Sequence, residues 1–170
     1  MIDTMLTINT LQRNGITGPL EPVAIADLLN AAATDFAGQA AQRGQMILVG
    51  PGATGTLMSK RRYLCLAIDE LVRNALRFGP EGRPIELDAK LADGHVVISV
   101  TDHGPGMTAD EIEAVRHAFT KQDMSMTQAS SGLGLGLTLA ETAAQALGGR
   151  LDLAYTPAEG MVARLVVPAA

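Results

Sequence analysis

Two hydrophobic periods alternate along this chain. In HVVISVTD, His95 to Asp102, apolar side chains occupy every second position. Pro84 to Lys90 alternates in the same way, and Ala92-Asp93-Gly94 separates the two runs. Period-two alternation predicts half-buried strands, and the Asp-Gly pair predicts that they form a hairpin. Arg150 to Ala154 and Met161 to Val167 predict a second, closing hairpin. Elsewhere the period is helical. Leu64, Ile68, Leu71, Val72, Ala75 and Leu76 fall on one side of a helix that advances about 100° per residue. Its predicted span runs from a cap at Ser59 to about Phe78, with Gly79-Pro80 as the stop. Glu21 to Gln42 predicts an earlier helix, with Pro22 near its start and Gly44 just past its end. Met46 to Val49 predicts a short strand, and Gly50 to Gly55 a loop. Thr108 and Glu111 form a capping box that opens a helix ending near Ala118. Phe119 to Ser131 is polar and aperiodic, the pattern of a mobile loop. Gly134 to Leu147 predicts an apolar helix stopped by Gly148-Gly149.

Helices interleaved with hairpins imply an α+β two-layer sandwich, its sheet mixed and mostly antiparallel, with the helices packed on one face. Residues 1–20 carry turn pairs, Asn14-Gly15 and Gly18-Pro19, and read as a linker or the end of a preceding segment. Residues 21–170 read as one domain. A chain of 170 residues can bury roughly 70% of its unfolded surface.

Composition narrows the function. The formal net charge is −5, without the basic stripe of a nucleic-acid surface, so nucleic acid is not an expected partner. Cys65 stands alone, which excludes an internal disulfide and suits a reducing, cytoplasmic setting. No apolar run approaches the roughly 20 residues of a membrane helix, so no direct membrane insertion is expected.

Three separated pieces carry candidate chemistry. In DELVRNALRFG, residues 69–79, Glu70, Asn74 and Arg77 lie on one helical stripe with Phe78 beside them. An amide oxygen at Asn74 suits Mg²⁺, a hard cation that takes oxygen ligands. A carboxylate at Glu70 suits proton transfer, and a guanidinium at Arg77 suits phosphate oxygens. The same stripe also fits an ordinary solvated face with i,i+4 pairs. In DHGPGM, residues 102–107, Asp102 ends a strand, where a carboxylate leaving water needs donors such as an exocyclic amine. Gly104 and Gly106 let a flat base approach the backbone, although a plain Asp-x-Gly turn has the same form. In GLGLGL, residues 132–137, three glycines enter a helix whose unpaired N–H groups attract phosphate. Gly136 inside that helix costs on the order of 1 kcal/mol relative to Ala. The spacing is neither the Walker pattern nor the dinucleotide fingerprint.

Taken together, these residues resemble the catalytic ATP-binding domain of bacterial sensor histidine kinases, within the gyrase, histidine-kinase and mismatch-repair ATPase superfamily. Glu70-Leu71-x-x-Asn74-Ala75-x-Arg77-Phe78 is similar to its asparagine box, and Asp102-x-Gly104-x-Gly106-Met107 to its first glycine box. Phe119 is similar to the phenylalanine of its ATP lid, and Gly132-x-Gly134-Leu135-Gly136-Leu137 to its second glycine box. The tail from Gly148 to Pro168 is similar to its closing hairpin. The resemblance covers residues 21–168 and implies a Bergerat-type fold that binds ATP and Mg²⁺.

It also implies roles. Asn74 would hold Mg²⁺, with Glu70 a second candidate ligand. Asp102 would bind the adenine amine. Glu70 would be the base that activates the substrate histidine. Arg77 and Lys121 would contact phosphates, Gly132, Leu133, Gly134, Leu135 and Gly136 would wrap the phosphate tail, and Phe78 and Met107 would flank the base. Leu133 stands where the family usually has Thr, and Met161 where its closing hairpin usually has Thr. Lys121 is the only cation between Phe119 and Gly132, which bears on catalytic rate more than on binding. None of His95, His103 and His117 suits the phosphoacceptor. The implied partners are therefore a histidine-bearing dimerisation domain, upstream in a longer parent or in trans, and a response regulator downstream. Two alternatives remain at this point: a nucleotide-binding regulatory module of low activity, and a stand-alone serine kinase of the anti-sigma-factor type.

Overall fold

In the computed structural model, residues 19–104, 110, 134–156 and 160–169 are described. The predicted linker up to residue 18, the Thr108–Glu111 capping box, the lid with Phe119 and Lys121, and site residues Gly106, Met107, Gly132 and Leu133 lie outside them.

The main sheet has five strands. They are β2 (Ile47–Val49), β4 (Ile85–Ala92), β5 (His95–Asp102), β6 (Arg150–Thr156) and β7 (Gly160–Pro168). Their order is β2-β4-β5-β7-β6. β2 runs parallel to β4, and every other pairing is antiparallel. Both predicted hairpins form. Asp93 takes φ 52° and Gly94 φ 76° at the first turn, the left-handed pair that a two-residue hairpin loop favours. Period-two burial puts Ile85, Leu87, Ala89, Val96, Ile98, Val100, Leu151, Leu153 and Leu165 on one buried face. The helices cover that face: α1 (Ile25–Asp35), α2 (Ala37–Gln42), α3 (Arg61–Phe78) and α4 (Gly134–Ala146). α3 and α4 pack against one another, and Leu64, Ile68, Leu71, Val72, Ala75 and Leu76 of α3 are all buried. The result is the expected mixed two-layer sandwich.

Two boundaries differ from expectation. Glu21 to Ala24 is not the first turn of a helix but a strand, β1, paired antiparallel with β3 (Thr56–Ser59). Pro22 is tolerated there because a two-stranded ribbon leaves an edge with no ladder bond for proline to lose. Helix starts only at Ile25 and breaks at Phe36, whose buried ring sits where α1 gives way to α2. Ser59 likewise does not cap α3. It pairs with Glu21 in the ribbon and is buried, and Lys60 occupies the cap position without a side-chain capping bond to the helix. Tertiary pairing has overridden a local capping signal. Among the described residues, no helix is long and apolar enough to cross a membrane.

Candidate functional site

The site grows from the end of β5. Asp102 has the same strand parity as Ile98 and Val100, so it continues a buried apolar row toward the helices. It is 6% exposed. Burial pushes its carboxyl group above the ordinary carboxylate range. The backbone N–H of Gly104, which donates to Oδ1 at 2.8 Å, and the neighbouring His103 oppose that shift. Met161 stands directly across the ladder from Asp102.

Two glycines pack closely against the backbone and β-carbon of Asp102. A Cβ on Gly160 would lie 2.2 Å from the Asp102 carbonyl oxygen, and Gly160 also holds φ +87°. A Cβ on Gly79 would lie 3.3 Å from the Cβ of Asp102 and 2.7 Å from the Ala75 carbonyl. Gly79 is the residue at which α3 ends. The stop after the first sequence piece therefore rests on the acid that begins the second.

A polar clamp fixes that end of α3. Arg43 donates through Nη2 to the Gly79 carbonyl at 2.9 Å and through Nε to Gln45 Oε1 at 3.0 Å. Gln45 is buried and donates through Nε2 to the Pro80 carbonyl at 3.2 Å. Carbonyls left unpaired by the end of a helix thus find partners from the loop before β2. Sequence reasoning missed both residues. They sit between a helix and a strand, and no local pattern marks them.

Along α3, Asn74 is half-buried and Arg77 exposed. Glu70 points partly inward, but its carboxylate is not alone: Arg73, one turn on, forms an ion pair with it. The guanidinium of Arg73 also lies 5.3 Å from the centre of the Phe36 ring. Arg73 was absent from the predicted stripe. The i,i+3 spacing was the signal that could have found it.

The third piece is described only in part. Gly134, Leu135 and Gly136 form the first residues of α4 in the backbone, which packs against α3. Their side-chain surroundings, and the side chain of Phe78, lie outside the described residues. Glu141 anchors α4, accepting the Leu151 backbone N–H at 2.9 Å and Gln145 Nε2 at 3.1 Å. This fixes the helix against the first residues of β6.

The donor set suits magnesium. Among the described residues, no group of three or more His, Cys, Asp or Glu side chains could hold an ion by itself. Mg²⁺ commonly takes one or two protein oxygens and completes its shell with water and substrate phosphates. Asn74 offers such an oxygen on the accessible side of α3. The described histidines are engaged locally: His103 Nε2 lies 3.1 Å from Glu86 Oε2, and His95 Nδ1 lies 3.0 Å from the Asp93 carbonyl.

The profile of the histidine kinase-, DNA gyrase B- and HSP90-like ATPases matches residues 59–170. The chain belongs to this ATPase family. Over 170 residues it is 32% identical to the sensor protein KdpD of Rathayibacter rathayi, covering 100% of this chain and 19% of that protein. The ATP-binding domain of PrrB from Mycobacterium tuberculosis superposes with a TM-score of 0.70 at 27% identity, covering 90% of this chain and 99% of that one. Full-length ShkA, solved in complex with AMPPNP, superposes with a TM-score of 0.84 at 26% identity, covering 99% of this chain and 35% of that one. The chain spans less than half the length of the curated relatives it matches. All three sequence pieces of this ATPase chain fall inside the matched range. The Arg43–Gln45 clamp, which holds the end of α3, precedes it.

Proposed function

We propose that this domain binds Mg·ATP between α3, the end of β5 and the start of α4, and donates the γ-phosphoryl group to a histidine of a helical dimerisation domain. Residues 21–170 form the nucleotide-binding unit, and residues 1–20 are a linker or the end of a preceding segment. Asp102 accepts a hydrogen bond from the adenine amine. Asn74 supplies an oxygen to the metal, whose charge offsets that developing on the phosphates. Arg77 and Lys121 contact phosphate oxygens, and residues 132–136 offer backbone N–H groups to the phosphate tail. Phe78 and Met107 flank the base. The attacking histidine nitrogen forms a P–N bond as the bond between the γ-phosphorus and the β,γ-bridging oxygen breaks, and ADP leaves. Glu70 takes the proton that the opposite ring nitrogen sheds. A response regulator then receives the phosphoryl group on an aspartate. The setting is cytoplasmic.

One observation carries this reading: Asp102, whose buried carboxylate accepts from the Gly104 backbone, sets its β-carbon against Gly79, the end of the helix that bears Asn74. The test measures ATP affinity and phosphotransfer together, with a histidine-bearing helical domain supplied. Binding with acid-labile phosphate on that domain is the expected result. Acid-stable phosphoserine on a partner, or no heat with adenine nucleotides, would overturn it.

A second reading has its own support. Glu70 is tied to Arg73, and Lys121 is the only cation between Phe119 and Gly132. Both favour a module that binds nucleotide and signals by docking with little turnover. Tight ATP binding without phosphotransfer selects it.

A further inference from the structure

A cavity of about 250 Å³ opens between α2 and α3. Its lining is Gln39, Gln42, Arg43, Arg73, Leu76 and Arg77. The side chains of Arg43 and Arg73 and two carboxamides border it, Arg77 being the arginine assigned above to the nucleotide phosphates, and no carboxylate lines the opening, in a chain whose net charge is −5. Concentrating cations in a cleft of an acidic domain raises the local concentration of anions.

The donors are in part uncommitted. A guanidinium has five N–H donors. Arg43 uses two of them, on Gln45 and the Gly79 carbonyl. Arg73 uses one, on Glu70. Its remaining N–H groups and the two carboxamides can meet an oxyanion, for which the planar guanidinium fork is suited.

We propose that this pocket is an oxyanion-binding site, distinct from the nucleotide cavity, and that its occupant competes with Glu70 for Arg73. The occupant is a carboxylate or phosphate group, brought either by an acidic segment of a protein partner or as free phosphate. Binding rests on the pocket alone. The link to turnover rests on the proposed role of Glu70: a ligand that draws Arg73 toward α2 releases the Glu70 carboxylate.

The test is an NMR titration of the full chain that follows the arginine Nε–H signals, run both without ATP and with ATP saturating. Inorganic phosphate and a glutamate-rich peptide are titrated separately, and sodium chloride at matched ionic strength controls for screening. Saturable shifts at Arg43 and Arg73 with either probe, absent with chloride, are expected. The probe that binds more tightly identifies the source. Gln42→Glu sets a carboxylate at the exposed rim and is expected to lower the affinity on the order of tenfold while ATP affinity is unchanged. Shifts equal to those of chloride, indifference to Gln42→Glu, or competition by ATP would overturn the proposal. Absence of ATP binding would defeat the nucleotide reading instead, and the phosphate titration would still decide this one.

Discussion

Glu70 and Arg73 face each other one turn apart on α3, the carboxylate 14% exposed and the guanidinium 53% exposed. Arg73 is shared, because it also stands over the Phe36 ring where α1 meets α2. A carboxylate engaged by a guanidinium must leave that contact before it can meet the proton of a substrate histidine. The pair therefore restrains the residue proposed to act as base. Exposed ion pairs contribute about 0.2–1 kcal/mol, so the restraint is small and reversible. Arg73→Gln is expected to raise phosphotransfer at saturating ATP, by up to about fivefold if the full 1 kcal/mol is recovered. ATP affinity should not change. Single-turnover rates with a histidine-bearing acceptor check this, and a fall in rate would show that Arg73 assists the reaction directly.

Asn74 is the proposed metal ligand on the same helix. Asn74→Ala is expected to abolish the difference between ATP affinity in magnesium and in a chelator. Calorimetry in the two buffers reads it, and an unaltered magnesium dependence would reassign the ion to other oxygens. Asn74 is half-buried and Ala favours helix, so little stability should be lost.

Asp102 has a cost in the nucleotide-free domain. Desolvation raises its carboxyl above its ordinary value. For a group raised in the folded state, the stabilising contribution is present below the unfolded value and is lost as pH climbs through the folded one. At neutral pH the ionised side chain therefore opposes folding until a donor arrives. Asp102→Asn keeps an oxygen for the Gly104 N–H and removes the charge. The variant should melt higher than the parent at neutral pH, and the difference should shrink in acid. It should also bind ATP roughly 10- to 100-fold more weakly, the range expected when a hydrogen bond to a charged group is lost. Thermal melts across pH together with ATP titrations test both halves.

Glycines 160, 79 and 82 allow packing to be separated from backbone conformation. Gly160 and Gly82 both have positive φ, but a Cβ at Gly82 meets open space and one at Gly160 meets the Asp102 carbonyl. Gly82→Ala should cost about 1–2 kcal/mol, the strain of the left-handed region. Gly160→Ala should cost about 1–3 kcal/mol more, because backbone must yield. Gly79→Ala carries no left-handed strain, yet it should weaken ATP binding, since the added methyl would lie 2.7 Å from the Ala75 carbonyl and crowd Gln45 Nε2 and the Asp102 β-carbon, so the end of α3 must shift. Denaturant midpoints give the order, and equal losses at 160 and 82 would contradict it.

The sequence displays most of the sheet and the core side of α3, because periods of two and 3.6 residues survive wherever one face is buried. It is silent where the structure is decided at a distance. Pro22 and Ser59 both look like helix-start signals, yet they pair with one another's strands in the β1–β3 ribbon. Site legibility divides similarly. Asp102 is marked by the glycines that follow it, and Asn74 by its helical spacing from Glu70. Arg73 belongs to the same helix, but its importance depends on Phe36, which lies 37 positions earlier in the chain. Gln45 meets Pro80 across 35 positions, and no local pattern records such a contact.

Gln45 also supplies the most direct test of how the end of α3 is held. Its carboxamide donates to the Pro80 carbonyl and accepts from Arg43, which in turn donates to the Gly79 carbonyl. Gln45→Leu fills similar space but strands both partners, and a buried polar group left unsatisfied costs about 1–3 kcal/mol. Gln45→Glu keeps an acceptor for Arg43 but sets an oxygen against the Pro80 oxygen. If the bond to Pro80 is what fixes Gly79 against Asp102, the two variants should lose similar stability and both should bind ATP more weakly. If the Arg43 pairing carries the effect, Gln45→Glu should retain most of the affinity that Gln45→Leu loses. Denaturation midpoints and ATP titrations on the pair distinguish these outcomes. Normal ATP affinity in both would detach the clamp from the nucleotide site and leave it a purely structural tie between the loop before β2 and the end of α3.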